Sequence, residues 1–306
     1  VYKRQQLVGN LTGGLAALLF GLILLKICLT PLHAAKSLQD PIIASVSPTF
    51  SMTLMILCTY LTAWGMPVGI ATVIWVLAVI IHFGLMIFFV SRHLLPQQKE
   101  WQMIYPSWFV TFVGIGVIPV TSGKFVPALG QPLFWLAFVI YVAVFPFVLH
   151  RVRTIPLPEA TQPLLTIIAA PASLCLTGYL ASFTHPNLAF ATGMLIFAQC
   201  LYFLTLFSIR QYTRLSFYPS FAAFTFPLVI SATALTRFIA IFASKGLVHN
   251  LLSVLQWGEW LVASLMLIFV TGHYLNFLRL TAKTVKQTAT TTPVSYTHLR
   301  AHETLA

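Results

Sequence analysis

Apolar residues along this chain gather into nine runs, at about 7–29, 42–64, 68–91, 103–121, 130–150, 163–183, 187–209, 219–243 and 251–277. Each approaches the roughly 20 residues that a helix needs to cross a bilayer's hydrocarbon. The pattern predicts nine membrane-crossing helices. They are of two kinds. The runs at 68–91 and 187–209 hold no proline and are evenly apolar. Four others carry a proline in a similar setting: Ser47-Pro48-Thr49-Phe50, Tyr105-Pro106-Ser107-Trp108-Phe109, Ala170-Pro171-Ala172-Ser173 and Phe226-Pro227. These recur roughly every 56–65 residues, the length of a helical hairpin with its loop. The expected architecture is an all-α membrane protein of tandem helical hairpins.

A proline inside a helix donates no N–H and crowds the carbonyl four residues back. Each of the four runs is therefore predicted to bend, with Pro227 freeing the carbonyl of Ala223. In lipid a freed carbonyl persists only where a neighbouring helix or a wet cavity satisfies it. Small and hydroxylated residues share one face of these runs: Ser220, Ala223, Pro227, Ser231 and Ala234 on the eighth, and Ala170, Ser173, Thr177 and Ala181 on the sixth. Phe217, Phe221, Phe224 and Leu228 form a bulky face, and Phe226 lies beside the small one. Such stripes serve either close helix contact or the wall of a lumen. Repetition across four runs favours the lumen, with the unbroken helices outside it.

Composition agrees with the membrane reading: 58% of the 306 residues are hydrophobic and only 7% charged, against roughly a quarter in soluble domains. The net charge is +12, but it is spread between the runs rather than gathered in one patch, which argues topology rather than nucleic-acid binding. Lys26, Lys36, Arg92, Lys99, Arg151, Arg153, Arg210, Arg214, Arg279, Lys283 and Lys286 follow alternate runs, while the opposite loops offer only Lys124 and Lys245. The positive-inside rule then places the C-terminus in the cytoplasm and the start of the chain outside. Residues 1–5 and 287–306 differ in composition from what they flank. The end of the second resembles a translated sequencing-library adapter, so both are expected to be non-native tails around a transmembrane domain at 6–286.

The chemistry is one of absences. Cys28, Cys58, Cys175 and Cys200 stand alone in apolar runs, without metal-ligand spacing, and no metal or cofactor is expected. Two membrane carboxylates or an HExxH helix would mark an intramembrane protease, and the sequence has neither. No acid falls in the middle of a broken run, as cation pathways usually require. Glu259, in Gly258-Glu259-Trp260, reads as an interface residue near the end of the last run, and His82, on an unbroken run, as a core or interfacial histidine. Hydroxyl and backbone N–H groups would replace part of a small anion's hydration without trapping it.

Three segments carry a family resemblance: Pro106-Ser107-Trp108-Phe109, Ala169-Ala170-Pro171-Ala172-Ser173-Leu174-Cys175-Leu176-Thr177-Gly178-Tyr179-Leu180, and Phe217 through Pro227. They resemble the tellurite-resistance/dicarboxylate transporter family, which belongs with the slow-type, voltage-dependent anion channels of plants. The likeness covers 7–280. It implies ten helices in five hairpins, the first helix of each lining a central pore, usually in a trimer, with a phenylalanine on the ninth helix closing the path. The matching residue is Phe226, with Phe224 as the alternative register. Set against that pattern, the first inner helix is expected to be missing from this sequence. The resemblance implies a channel or exporter for small anions in a bacterial inner membrane, with a proton-coupled C4-dicarboxylate or tellurite-related carrier as the alternative. Pro48, Pro106, Pro171, Ser173, Thr177, Ala223, Pro227 and Ser231 are the candidate pore-wall and kink residues.

Overall fold

A computed structural model describes residues 2–95, 103–243 and 245–291, and every regular element among them is helical. Five long helices carry no internal break: α1 (Tyr2–Leu29), α5 (Val68–Phe89), α8 (Gly130–Thr154), α10 (Leu188–Tyr212) and α12 (Gly246–Thr291). Between them run four composite spans. The first joins α3 (Pro41–Val46) to α4 (Thr49–Ala63), after the short α2 (Pro31–Ser37). The second strings α6 (Trp108–Val113), a 3₁₀ turn at Gly114–Gly116 and α7 (Val117–Thr121). The third runs from a 3₁₀ stretch at Glu159–Ala169 into α9 (Ala170–Ser182), and the fourth from a 3₁₀ stretch at Pro219–Phe224 into α11 (Thr225–Phe242).

The nine expected crossings are thus present as eight membrane-length helical spans and one shorter apolar stretch, Trp108–Lys124. Tight turns at Gly114–Gly116 and Ser122–Lys124 interrupt that one. The backbone is otherwise satisfied locally, as lipid demands. Asp40 opens α3 by accepting the N–H groups of Ile42 and Ile43 at 2.8 and 3.0 Å, and Asn187 opens α10 through the N–H of Phe190 at 3.0 Å. Gly65, at φ 100°, turns the chain between α4 and α5 where a side chain would be strained.

The predicted bends need two corrections. Pro171 and Pro227 do not kink a continuous helix. They stand in the first turn of α9 and α11, where a missing N–H removes no intrahelical bond, and the chain before each is 3₁₀. Pro106 is not at a break at all. It begins the lead-in to α6, as Pro41 and Pro219 begin theirs, and in the second hairpin Gly114 occupies the break eight residues on.

The broken spans sit inside and the unbroken ones outside. Every residue from Ala170 to Leu180 of α9 is buried, and α9 packs against α7, α8, α10 and α11. On α10 the buried residues Ala191, Met194, Leu195, Ala198, Leu201 and Tyr202 repeat at three- and four-residue spacing, while Phe203, Leu204 and Phe207 face outward, the last 90% exposed. That surface suits acyl chains. Glu259 departs from expectation. It is not at an interface but 1% exposed, pointing inward from α12.

Candidate functional site

Where the four lead-ins meet the four breaks, the inner spans stand apart and leave a cavity of ≈ 510 Å³. Each composite span contributes to its wall: Ile42 and Thr53 from the first, Val110 and Gly114 from the second, Ala170 and Pro171 from the third, Ala223 and Phe226 from the fourth. Tyr274 of α12 also reaches it. The site thus exists because the chain cannot run as four straight α-helices. Each of the four spans is broken between its lead-in and the helix that follows, by a turn in the first and by 3₁₀ backbone in the other three.

Phe226 lies on this wall and packs against the cluster that holds Met52, Leu174 and Ile230. Phe224, the alternative register, faces the other way. It is fully buried, its ring 5.1 Å from that of Phe221, in a cluster with Tyr202 and Ala263. Next to the cavity the second and third inner spans come into close contact. A Cβ on Gly116 would lie 3.0 Å from Leu174 Cγ, and one on Gly178 would lie 3.0 Å from Pro119 Cγ and 3.4 Å from the Gly116 carbonyl. Glycine at these positions lets α7 and α9 touch.

The other candidate residues divide. Pro171, Ala223 and Pro227 line the cavity. Pro48 and Pro106 are buried behind it. Ser173, Thr177 and Ser231 were expected on an open wall. They are fully buried outside the lining, in the half where small residues bring helices together. Thr177 donates to the Ser173 carbonyl at 2.7 Å, and Ser231 accepts from Gln199 of α10 at 3.5 Å.

Backbone groups freed at the breaks find partners across spans. The Ala223 carbonyl, which Pro227 cannot serve, accepts Thr166 Oγ1 at 2.7 Å. The Ser45 carbonyl accepts Thr111 Oγ1 at 2.7 Å, and Ser45 and Ser107 share a hydroxyl bond at 2.6 Å. His82 of α5 reaches in behind the first two breaks. It is fully buried, its Nδ1 is 2.9 Å from Ser51 Oγ, and its Nε2 has no partner. Gly114 makes room for it, since a Cβ there would lie 3.0 Å from His82 Cε1 and 2.9 Å from Met52 Sδ.

This accounting changes the expected chemistry of the wall. Its hydroxyl protons are already committed: Thr49 to the Val46 carbonyl, Thr53 to the Thr49 carbonyl, Ser220 to the Ala160 carbonyl and Tyr274 to the Pro219 carbonyl, at 2.5–2.8 Å. An ion here meets an apolar surface with few free donors. Charge comes from farther away, because Lys36, Arg92 and Arg214 on the connections, and Arg153 and Arg210 in the last turns of α8 and α10, precede the lead-ins at the cavity end of the bundle. Among the described residues the acids at that end are engaged, Asp40 as a helix cap and Glu159 by the Tyr218 hydroxyl at 3.2 Å. No group of three metal-ligating side chains occurs among the described residues. Sequence reasoning missed the Glu259 environment, and the signal was there: it is an acid inside an apolar run.

Residues 6–291 match the model of one protein family, described as voltage-dependent anion channel (SLAC1). Comparison with curated proteins finds no match.

Proposed function

Because this chain belongs to the voltage-dependent anion channel family, we propose that it passes small anions along the axis enclosed by its four broken spans, with Phe226 as the plug. The observation that carries this reading is that all four spans wall one cavity, with the Phe226 ring on its lining. A ring in a narrow apolar neck excludes water, and an ion stripped of water with no counter-charge meets a steep barrier. Turning the ring aside, or shifting α11 at its 3₁₀ junction, lets a hydrated ion through. Basic residues on the connections raise the local anion concentration. The apolar wall gives no tight site that would stop the ion leaving.

The same reading puts the basic connections and the C-terminus on the cytoplasmic face of a bacterial inner membrane. It takes the assembly to be a homotrimer, as the family resemblance implies. The coupled dicarboxylate carrier is kept as the second reading because one carboxyl, Glu259, lies buried beside the plug's helix.

Chloride efflux from liposomes holding the whole protein tests the proposal. Phe226→Ala is expected to raise basal efflux severalfold, and efflux should follow the electrical gradient without a proton gradient. Unchanged efflux at normal reconstitution would remove the plug role. Strict dependence on a proton gradient would favour the carrier.

A further inference from the structure

Outside the cavity lining, α10, α11 and α12 meet around a buried polar cluster: Gln199, Ser231 and Glu259. Glu259 is 1% exposed, and neither of its carboxylate oxygens has a hydrogen-bond partner. Gln199 and Ser231 face the carboxyl closely. Neither completes a hydrogen bond to it, and one N–H of the Gln199 amide is directed to Ser231 Oγ at 3.5 Å. The Gln199 carbonyl oxygen is likewise without a partner. Tyr202 of α10 is the other titratable group that feels the carboxyl. None of these is a cation. The basic residue of α11, Arg237, lies six positions beyond Ser231, about 9 Å along the helix, and His249 of α12 is turned to the Ala243 carbonyl at 2.8 Å.

The cluster therefore holds three acceptor oxygens without a hydrogen-bond partner and with only neutral groups beside them, at a place where a bare carboxylate is very unfavourable. One proton resolves the deficit. An O–H formed on one Glu259 oxygen can donate to the Gln199 carbonyl oxygen, which removes both the buried charge and an orphan acceptor. Reversing the Gln199 amide instead would offer the carboxylate one neutral donor and leave the full charge buried.

We propose that Glu259 is a proton-binding site whose occupancy sets how α11, the helix that carries Phe226, is seated against α10 and α12. The proton comes from hydronium in bulk water, leaving water behind, and returns to water on release. With the proton bound, the Glu259–Gln199–Ser231 cluster is neutral and α11 rests in the packed seat seen here. When the proton leaves, the uncompensated carboxylate draws in water, the seat loosens and Phe226 shifts. The second half of this inference rests on Phe226 being the plug; the proton site itself does not.

The test has two arms on the full-length protein. In the first, infrared difference spectra between neutral and alkaline buffer are recorded with ¹³C-labelled glutamate carboxyls. A protonated-carboxyl band should be lost at alkaline pH, and it should be missing from Glu259→Gln. Carboxylate bands alone across the range, or an unchanged protonated band in Glu259→Gln, would overturn the site. In the second arm, chloride efflux from liposomes should rise as the buffer is made alkaline. Glu259→Gln, which mimics the neutral acid, should stay at the low level throughout, and Glu259→Asp should keep the rise with a displaced midpoint. A wild-type pH profile in Glu259→Gln would overturn the coupling. Absence of efflux from every protein would sink the channel reading while the infrared arm still decided the proton site.

Discussion

Thr166 shows what a single hydroxyl contributes to this architecture. It bonds its own span, to the Pro163 carbonyl at 2.9 Å, and crosses to the Ala223 carbonyl at 2.7 Å. Thr166→Val keeps the shape and orphans that carbonyl just before α11. We expect a loss of about 1–3 kcal/mol, read as a lower melting temperature in detergent, together with altered basal anion efflux. Retained stability would mean that the carbonyl finds water in the cavity. The sequence made half of this pair legible. The Ala223 carbonyl is freed by a proline four residues on, which is local geometry. Its partner, 57 positions away, is a matter of which spans become neighbours, and no local period encodes that. Phe224 and Phe226 divide in the same way. Both were visible as large rings near Pro227, but only the packing of α12 against Phe224 turns it from the cavity.

At the scale of the element, the four inner spans share a design more than a residue. A break recurs at Ser47-Pro48, where two α-helical pieces meet, and as 3₁₀ backbone at Gly114–Gly116, before Pro171 and before Pro227. Proline was a readable marker in three of these. In the second hairpin glycine does the work, and reasoning from Pro106 alone placed the break a turn or two too early. Past the break, the second and third spans are held together at glycines. Gly178→Ala should force α9 and α7 apart, because the atoms it meets are a proline ring and a backbone carbonyl that cannot swing away. A destabilisation of about 1–3 kcal/mol is expected. Gly193→Ala on α10, whose Cβ would meet nothing within 4 Å, should be neutral or stabilising by up to about 1 kcal/mol. Equal effects of the two in thermal melts would count against the close α7–α9 contact.

For the whole molecule, the division into an apolar neck and remote basic connections predicts a particular selectivity. With the wall hydroxyl protons held by backbone carbonyls, an anion gains little from the wall and must give up water to pass the neck. Efflux should then rank by ease of dehydration, with iodide and nitrate above chloride and fluoride last. A sequence favouring fluoride would point instead to free donors in the path. Fold class and hairpin order were legible because lipid forces alternating runs and local backbone bonding. The interior was legible only in part, since the small-residue stripes serve a cavity in one half of the bundle and contact in the other.

Helix α12, 46 residues without a proline, is about 69 Å long at an α-helix's rise, while the hydrocarbon it crosses is about 30 Å thick. Some of it must stand proud of the membrane as a stalk. Glu259 and the stalk belong to one rod, so a load or a docked molecule on the exposed end has leverage on the buried acid without any signal through the loops.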